Sequence, residues 1–260
     1  MLIGFIYSAI IFFACILGAI VGLGGGLFLR PIFDAIGHHS VIEIGFFSSL
    51  AIFSMAIVST AKKIHEGSRI DAKIAFLISL GAISGGALGN LLLERLLAFF
   101  PDARSVQSVQ IVATIIVLVL SLVFTAKNNL RYDLKNKAAI LGLGVLLGII
   151  GAFLGIGGGP LNVPIFMIFF GLGIKQATSY SIVIILFSHL SRLVTLGISS
   201  GGYEGFDLSI LPFVVVSAGL GGFIGAKLNK IFSEKTVKRL FQGTLCFIIL
   251  LNIVSVFFIF

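Results

Sequence analysis

An all-α polytopic membrane protein made of two homologous repeats is the fold class the sequence predicts, and three observations predict it. Hydrophobic residues make up 58% of the 260-residue chain and charged ones only 11%, too little polar surface for a soluble domain of this length. The apolar residues fall in eight long runs, and one sixteen-residue stretch recurs near the middle of the chain. Runs of about 20 apolar residues are what a helix needs to cross the hydrocarbon layer.

In chain order the long runs cover roughly 2–23, 41–61, 74–93, 106–126, 138–156, 177–199, 208–226 and 240–260. They leave no room for a separate soluble domain, so residues 1–260 read as one transmembrane domain. The first run lacks a basic leader and further apolar runs follow it, so no cleaved signal is expected. Cys15 and Cys246 lie inside apolar runs and read as small buried hydrophobes. The net charge of +8 comes from Lys and Arg placed between the runs. There they act as topology signals and contacts to the lipid bilayer, not as a nucleic-acid surface.

The repeat is the strongest signal. Residues 18–33 (GAIVGLGGGLFLRPIF) align without gaps on 151–166 (GAFLGIGGGPLNVPIF), at an offset of 133, with nine of sixteen positions identical. Ser48 falls on Ser181 at the same offset, and Gly85, Gly86 and Gly89 correspond to Gly221, Gly222 and Gly225 after about three inserted residues. The first copy covers about 1–126 and the second about 138–260. Duplicated helical units are a common plan of carriers.

Basic residues orient the copies. If all eight runs cross singly, and Arg30 and Arg192 are set aside as intramembrane, each face receives eight Lys and Arg. If each glycine triplet is instead the tip of a hairpin that enters the membrane and returns, one face receives fourteen and the other only Arg95 and Arg104. Basic residues collect on the cytoplasmic side. The expectation is therefore two inverted repeats, each a glycine-broken re-entrant hairpin plus three transmembrane helices, with both termini outside.

The motif Gly-x-Gly-Gly-Gly occurs as Gly22–Gly26 and as Gly155–Gly159. It is neither a dinucleotide fingerprint nor a phosphate loop, since no strand precedes it and no Lys-Ser/Thr follows. Each glycine weakens a helix by roughly 1 kcal/mol relative to alanine, and a broken helix in hydrocarbon is tolerated only inside protein or beside a polar cavity. The short segments 27–37 and 160–174 follow the triplets directly, with Pro31 and Pro164 expected in or near their first turns. Free amides at those helix starts would suit an anion. That points to Gly24, Gly25, Gly26, Gly157, Gly158 and Gly159 as binding residues. Gly85, Gly86, Gly221 and Gly222 read instead as close helix packing.

Arg192 lies about seven residues from the end of its run, about 10 Å deep at 1.5 Å per residue, and intramembrane arginines are functional candidates. Ser181, Ser188, Arg192 and Thr195 recur at spacings of 7, 4 and 3, one polar stripe on a helix. Ser48 belongs to a sparser stripe on the equivalent helix. Guanidinium pairs well with oxyanions, so Arg192, Ser181, Ser188 and Ser48 are substrate-binding candidates. A structural role for Arg192, capping a helix end, is the competing reading. Arg30 faces the anion or pairs with Asp34 at i+4, and the sequence leaves both open; Val163 and its neighbour Asn162 stand there in the second copy. Asp34 is the carboxylate placed for proton coupling, unless it is structural. His189 beside the stripe reads as a hydrogen-bonded packing residue sooner than as a ligand. His38, His39 and Glu43 have no zinc-type spacing, and no nucleophile–base or carboxylate pair lies in the apolar runs. No metal, cofactor or enzymatic activity is expected.

The duplicated Gly-x-Gly-Gly-Gly with its following proline, the serine-bearing next helix and the Gly-Gly-x-x-Gly of the third helix resemble the sulfite exporter TauE/SafE family. The resemblance covers nearly the whole chain and implies transport of a sulfur-containing anion, such as sulfite or a sulfonate, across a bacterial or archaeal cytoplasmic membrane. Leu27 stands where the second copy has Pro160, a departure that bears on the first hairpin's build. The expected partner is a small anionic substrate, carried by alternating access and exported by the membrane potential. An anion channel and a non-transporting membrane assembly factor are the alternatives, and the oligomeric state is open, a homodimer included.

Overall fold

The computed structural model describes residues 2–68, 70–100, 103–126, 132–154, 159–199 and 206–259. Within them the chain is all helix: α1 (Leu2–Val21), α2 (Gly26–Ile36), α3 (Val41–His65), α4 (Ala72–Phe99), α5 (Ala103–Ala126), α6 (Lys137–Phe153), α7 (Gly159–Phe169), α8 (Ile174–Ser199), α9 (Leu211–Ile231) and α10 (Glu234–Ile259). Seven of these, α1, α3, α4, α5, α8, α9 and α10, are long and apolar enough to cross a membrane. At 17 and 11 residues, α6 and α7 are shorter than that. The run read at 138–156 thus ends as a helix at Phe153, where the second glycine motif begins.

Caps set the helix starts. Ser40 and Glu43 form a reciprocal capping box at the start of α3. Asp71 and Asn136 accept backbone N–H groups at the starts of α4 and α6. Pro31 and Pro164 are each the sixth residue of their helix, not first-turn residues. Each therefore leaves the carbonyl four residues back without its usual amide donor.

Two helix seams are built by glycine. A Cβ on Gly85 of α4 would collide with the Val145 carbonyl oxygen of α6, and one on Gly89 would stand 2.5 Å from that of Ile149. The α9–α1 seam has the same form, with a Cβ on Gly221 falling 2.7 Å from the Phe12 carbonyl oxygen and one on Gly225 2.5 Å from that of Ile16. Val145 and Ile149 are the counterparts of Phe12 and Ile16 at the offset of 133. Gly86, in contrast, faces open space. Close backbone approach is how membrane helices gain packing where lipid removes the hydrophobic drive.

Hydrogen bonds and ring contacts define two ends of the bundle. At one, Tyr7 of α1 stacks on Phe33 of α2 with ring centroids 4.1 Å apart, and its hydroxyl lies 3.1 Å from His39 Nδ1. So α2 runs back along α1 toward the end where α1 began. At the other end, Tyr132 and Leu134, just ahead of α6, donate to the Ile168 and Phe169 carbonyls at the end of α7. That makes α6 and α7 a second antiparallel pair. Lys175 Nζ donates there to the Lys230 and Phe232 carbonyls, and Lys63 reaches Thr178. The basic residues Lys63, Lys175 and Lys230 thus share one end.

Candidate functional site

Chain reversal after α1 sets up the site. Gly22, Gly24 and Gly25 all have left-handed φ (76°, 82° and 71°), a conformation open to glycine at no steric cost. The fold-back is tight: a Cβ on Gly18 would collide with the Gly25 nitrogen. Gly25 is the N-cap of α2 and offers no side chain to its amides. The N–H groups of Gly24, Gly25, Gly26 and Leu27 accordingly have no acceptor among the described residues. The first glycine triplet thus leaves a run of donors without acceptors among the described residues.

Gly26 opens onto a small cavity of about 30 Å³, lined also by Arg30, Ser48, His189 and Arg192. Gly45, Ser49, Ile52 and Ile185 complete most of the wall. The site is built on three elements: the start of α2, the first half of α3 and the second half of α8. Gly45 makes room for the arginine, since a Cβ there would lie 3.4 Å from an Arg192 terminal nitrogen. Ser49 donates its hydroxyl proton to the Gly45 carbonyl at 2.7 Å. Ser48 Oγ and His189 Nδ1 are buried without a hydrogen-bond partner among the described residues.

The electrostatics are one-sided. Among the described residues, two guanidinium groups line the cavity and no carboxylate does. Arg192 makes no hydrogen bond or ion pair among the described residues. Arg30 Nε lies 3.9 Å from Asp34 Oδ2, with both side chains 44% exposed, a contact that leaves most of the guanidinium fork unused. Free amides at a helix start, a free hydroxyl and two arginines together form a donor-rich site that no carboxylate of the described residues lines.

The structure thus brings together Gly26, Arg30, Ser48 and Arg192 of the expected residues. Gly24 and Gly25 form the loop behind Gly26, and a Cβ on Gly24 would press on Ile185 at 3.2 Å. Ser181 is used elsewhere, donating to the Gly22 carbonyl at 2.6 Å. Ser188 is half-buried and off the cavity wall. Asn162 is fully buried with neither side-chain atom bonded, and it too is outside this cavity. Asp34 is exposed beside Arg30 and is not on the cavity wall. Gly157 and Gly158 lie outside the described residues, whereas Gly159 meets the first tip: a Cβ on it would stand 2.6 Å from the Leu23 carbonyl oxygen. The start of α7 therefore packs against the first glycine loop.

His189 lines the cavity and its Nδ1 has no hydrogen-bond partner among the described residues, so it is not the hydrogen-bonded packing residue that its sequence position suggests. The stripe on α8 is Ile185, His189 and Arg192, rotated one step from the serines. Gly45 and Ser49 are site residues that sequence reasoning missed, although Gly45, Ser48 and Ser49 at spacings of three and four mark one face of α3.

A helical bundle with seven apolar spans among the described residues, and a donor-rich cavity between α2, α3 and α8, defines a polytopic integral membrane protein. The chain belongs to the sulfite exporter TauE/SafE family of membrane transporters, whose model matches residues 7–252. It is also 22% identical over 258 residues to the "Probable membrane transporter protein YunE" of Bacillus subtilis (strain 168), covering 89% of this chain and 90% of that one. No solved structure matches the chain significantly.

Proposed function

We propose that this transporter carries a small sulfur oxyanion, sulfite or a sulfonate, across the cytoplasmic membrane of a bacterium or archaeon, and that the anion binds in the α2–α3–α8 cavity. One observation carries the reading: Arg30, Arg192, Ser48 and the uncapped start of α2 share a cavity that no carboxylate of the described residues lines. Arginine offers paired donors matched to oxyanion geometry, and the helix start adds amides and the positive dipole end.

The antiparallel pairs α1–α2 and α6–α7 support two inverted copies with re-entrant tips, because they return the chain to the end from which it came. With that path Lys63, Lys175 and Lys230 fall at one end, which the positive-inside rule makes cytoplasmic. The cavity, near the start of α3 and the end of α8, then opens outward. Rocking of one copy against the other would expose the anion to the opposite side. An inside-negative potential of about 100 mV drives each negative charge outward with roughly 2.3 kcal/mol, enough for uncoupled export.

The test is sulfite flux in proteoliposomes. Efflux is expected to saturate, to show counterflow and to slow when the potential is collapsed, while a proton gradient has no effect. Arg192→Gln is expected to weaken sulfite binding by about tenfold or more, as loss of a charge-assisted hydrogen bond does, with the melting temperature of the unliganded protein little changed. Equal loss of binding and fold would sink the assignment of Arg192 to substrate.

A further inference from the structure

Beyond the glycine tip, at the Lys175 end of the α3–α8 seam, lies a second cation. Lys63 is 3% exposed, yet its only hydrogen bond among the described residues goes to Thr178 Oγ1 at 3.3 Å. An ammonium has three donors, and a buried charge is normally paired. Here the charge that acts on it most is the like charge of Lys175. The nearby carboxylate Glu66 is held by Lys62 at 3.0 Å.

The surroundings are as short of acceptors as the first cavity. Thr178 Oγ1 passes its own proton to the Lys175 carbonyl at 2.7 Å and also receives Asn229 Nδ2 at 3.2 Å. Ser59, one turn before Lys63 on α3, is fully buried with its hydroxyl unbonded. At the repeat offset of 133, Gly45, Ser48 and Arg192 of the first cavity correspond to Thr178, Ser181 and Ser59. The duplicated seam therefore places a related group of residues on the far side of the tip, with Lys63 supplying the cation that Ser59 lacks.

The first glycine loop separates the two. A Cβ on Gly22 would stand 2.8 Å from Thr178, and Gly24 packs between Ile52 and Ile185. We propose that Lys63, with Ser59 and Thr178, forms a second binding station for a small oxyanion, on the opposite side of the glycine tip from Arg192. The assignment rests on the anion-transport reading above. An anion released past the tip is received by Lys63, whose amino group has no carboxylate partner among the described residues while that station is empty.

The test uses the full-length protein in detergent, with melting temperature followed in sodium sulfite against sodium gluconate at equal ionic strength. In Arg30→Gln/Arg192→Gln a residual rise with sulfite is expected. Adding Lys63→Met is expected to abolish it and Lys63→Arg to retain it. In proteoliposomes Lys63→Met alone is expected to slow sulfite exchange by about tenfold or more. Thr178→Val serves as a second variant that leaves the charge in place: a structural Lys63–Thr178 bond predicts loss of melting temperature in both variants with an unchanged sulfite response, which overturns the proposal. So does a residual rise that survives Lys63→Met, or no residual rise in the double arginine variant. If that double variant keeps the full response, the arginine cavity is what fails, and the Lys63 comparison is still read from the same data. A wild-type protein unresponsive to sulfite and methanesulfonate sinks both.

Discussion

Ser181 Oγ on α8 donates a 2.6 Å hydrogen bond to the carbonyl of Gly22, a residue 159 positions earlier at the tip of the first glycine loop. Asn229 of α9 holds the preceding turn in the same manner through the Ile20 carbonyl. Both carbonyls belong to the end of α1, where no further helical turn supplies donors. Ser181→Ala removes the buried donor and leaves Gly22 O without it, a loss of about 1–3 kcal/mol. Thermal unfolding in detergent is expected to show a lower melting temperature, and a variant as stable as wild type would mean the loop is held by packing alone.

The glycine seams make a paired prediction. Gly85→Ala forces a methyl into the Val145 carbonyl oxygen, so α4 and α6 must separate. Overpacking of this kind costs typically about 1–3 kcal/mol. Gly86→Ala meets nothing within 4 Å and gains helix propensity, about 0.4–1 kcal/mol in its favour. Adjacent glycines thus differ in sign, and melting temperatures of the two single variants check it. Both read as packing residues in the sequence; Gly86 meets the seam only through its backbone, beside Gly148, and its missing Cβ points into open space.

How much of this is legible in the sequence follows from what each residue depends on. The helices fall nearly where the apolar runs place them, because hydrocarbon length and uninterrupted apolar runs determine them locally. The glycine motif reads as a source of free amides because three successive glycines break a helix wherever they stand. The side-chain roster is less legible. Whether Ser181 or Ile185 faces the cavity depends on where the first loop docks on α8, a tertiary fact with no local signal. His189 and Gly45 gain their positions from that docking as well. Lys63 reads as one of the basic residues between two apolar runs, yet α3 continues to His65 and draws it inside.

Gly45 offers a test of the site that leaves its charges in place. An Arg192 terminal nitrogen rests over this glycine, 3.4 Å from where a Cβ would stand, so Gly45→Val displaces the guanidinium while the arginine itself remains. Sulfite affinity is expected to fall severalfold to about tenfold, in line with one misplaced charge-assisted bond. Gly45→Ala, whose methyl needs a shift of only a few tenths of an ångström, is expected to stay close to wild type. Calorimetric titration distinguishes the two. Equal affinities across the three proteins would place the anion away from Arg192.

Asp34 carries the last prediction, because its two readings lead in opposite directions. It lies 3.9 Å from Arg30 Nε, and both side chains are substantially exposed, so the ion pair itself is weak, about 0–1 kcal/mol. If Asp34 only restrains Arg30, Asp34→Asn frees a guanidinium already at the cavity wall, and sulfite binding tightens by up to about fivefold. Transport then keeps its indifference to a proton gradient, since no proton site has been lost. If Asp34 couples a proton, Asp34→Asn abolishes a gradient-driven component of flux and leaves exchange intact. Comparing exchange with gradient-driven uptake in the same proteoliposomes separates these outcomes. The exposure of Asp34, beside Arg30 and off the cavity wall, favours the first.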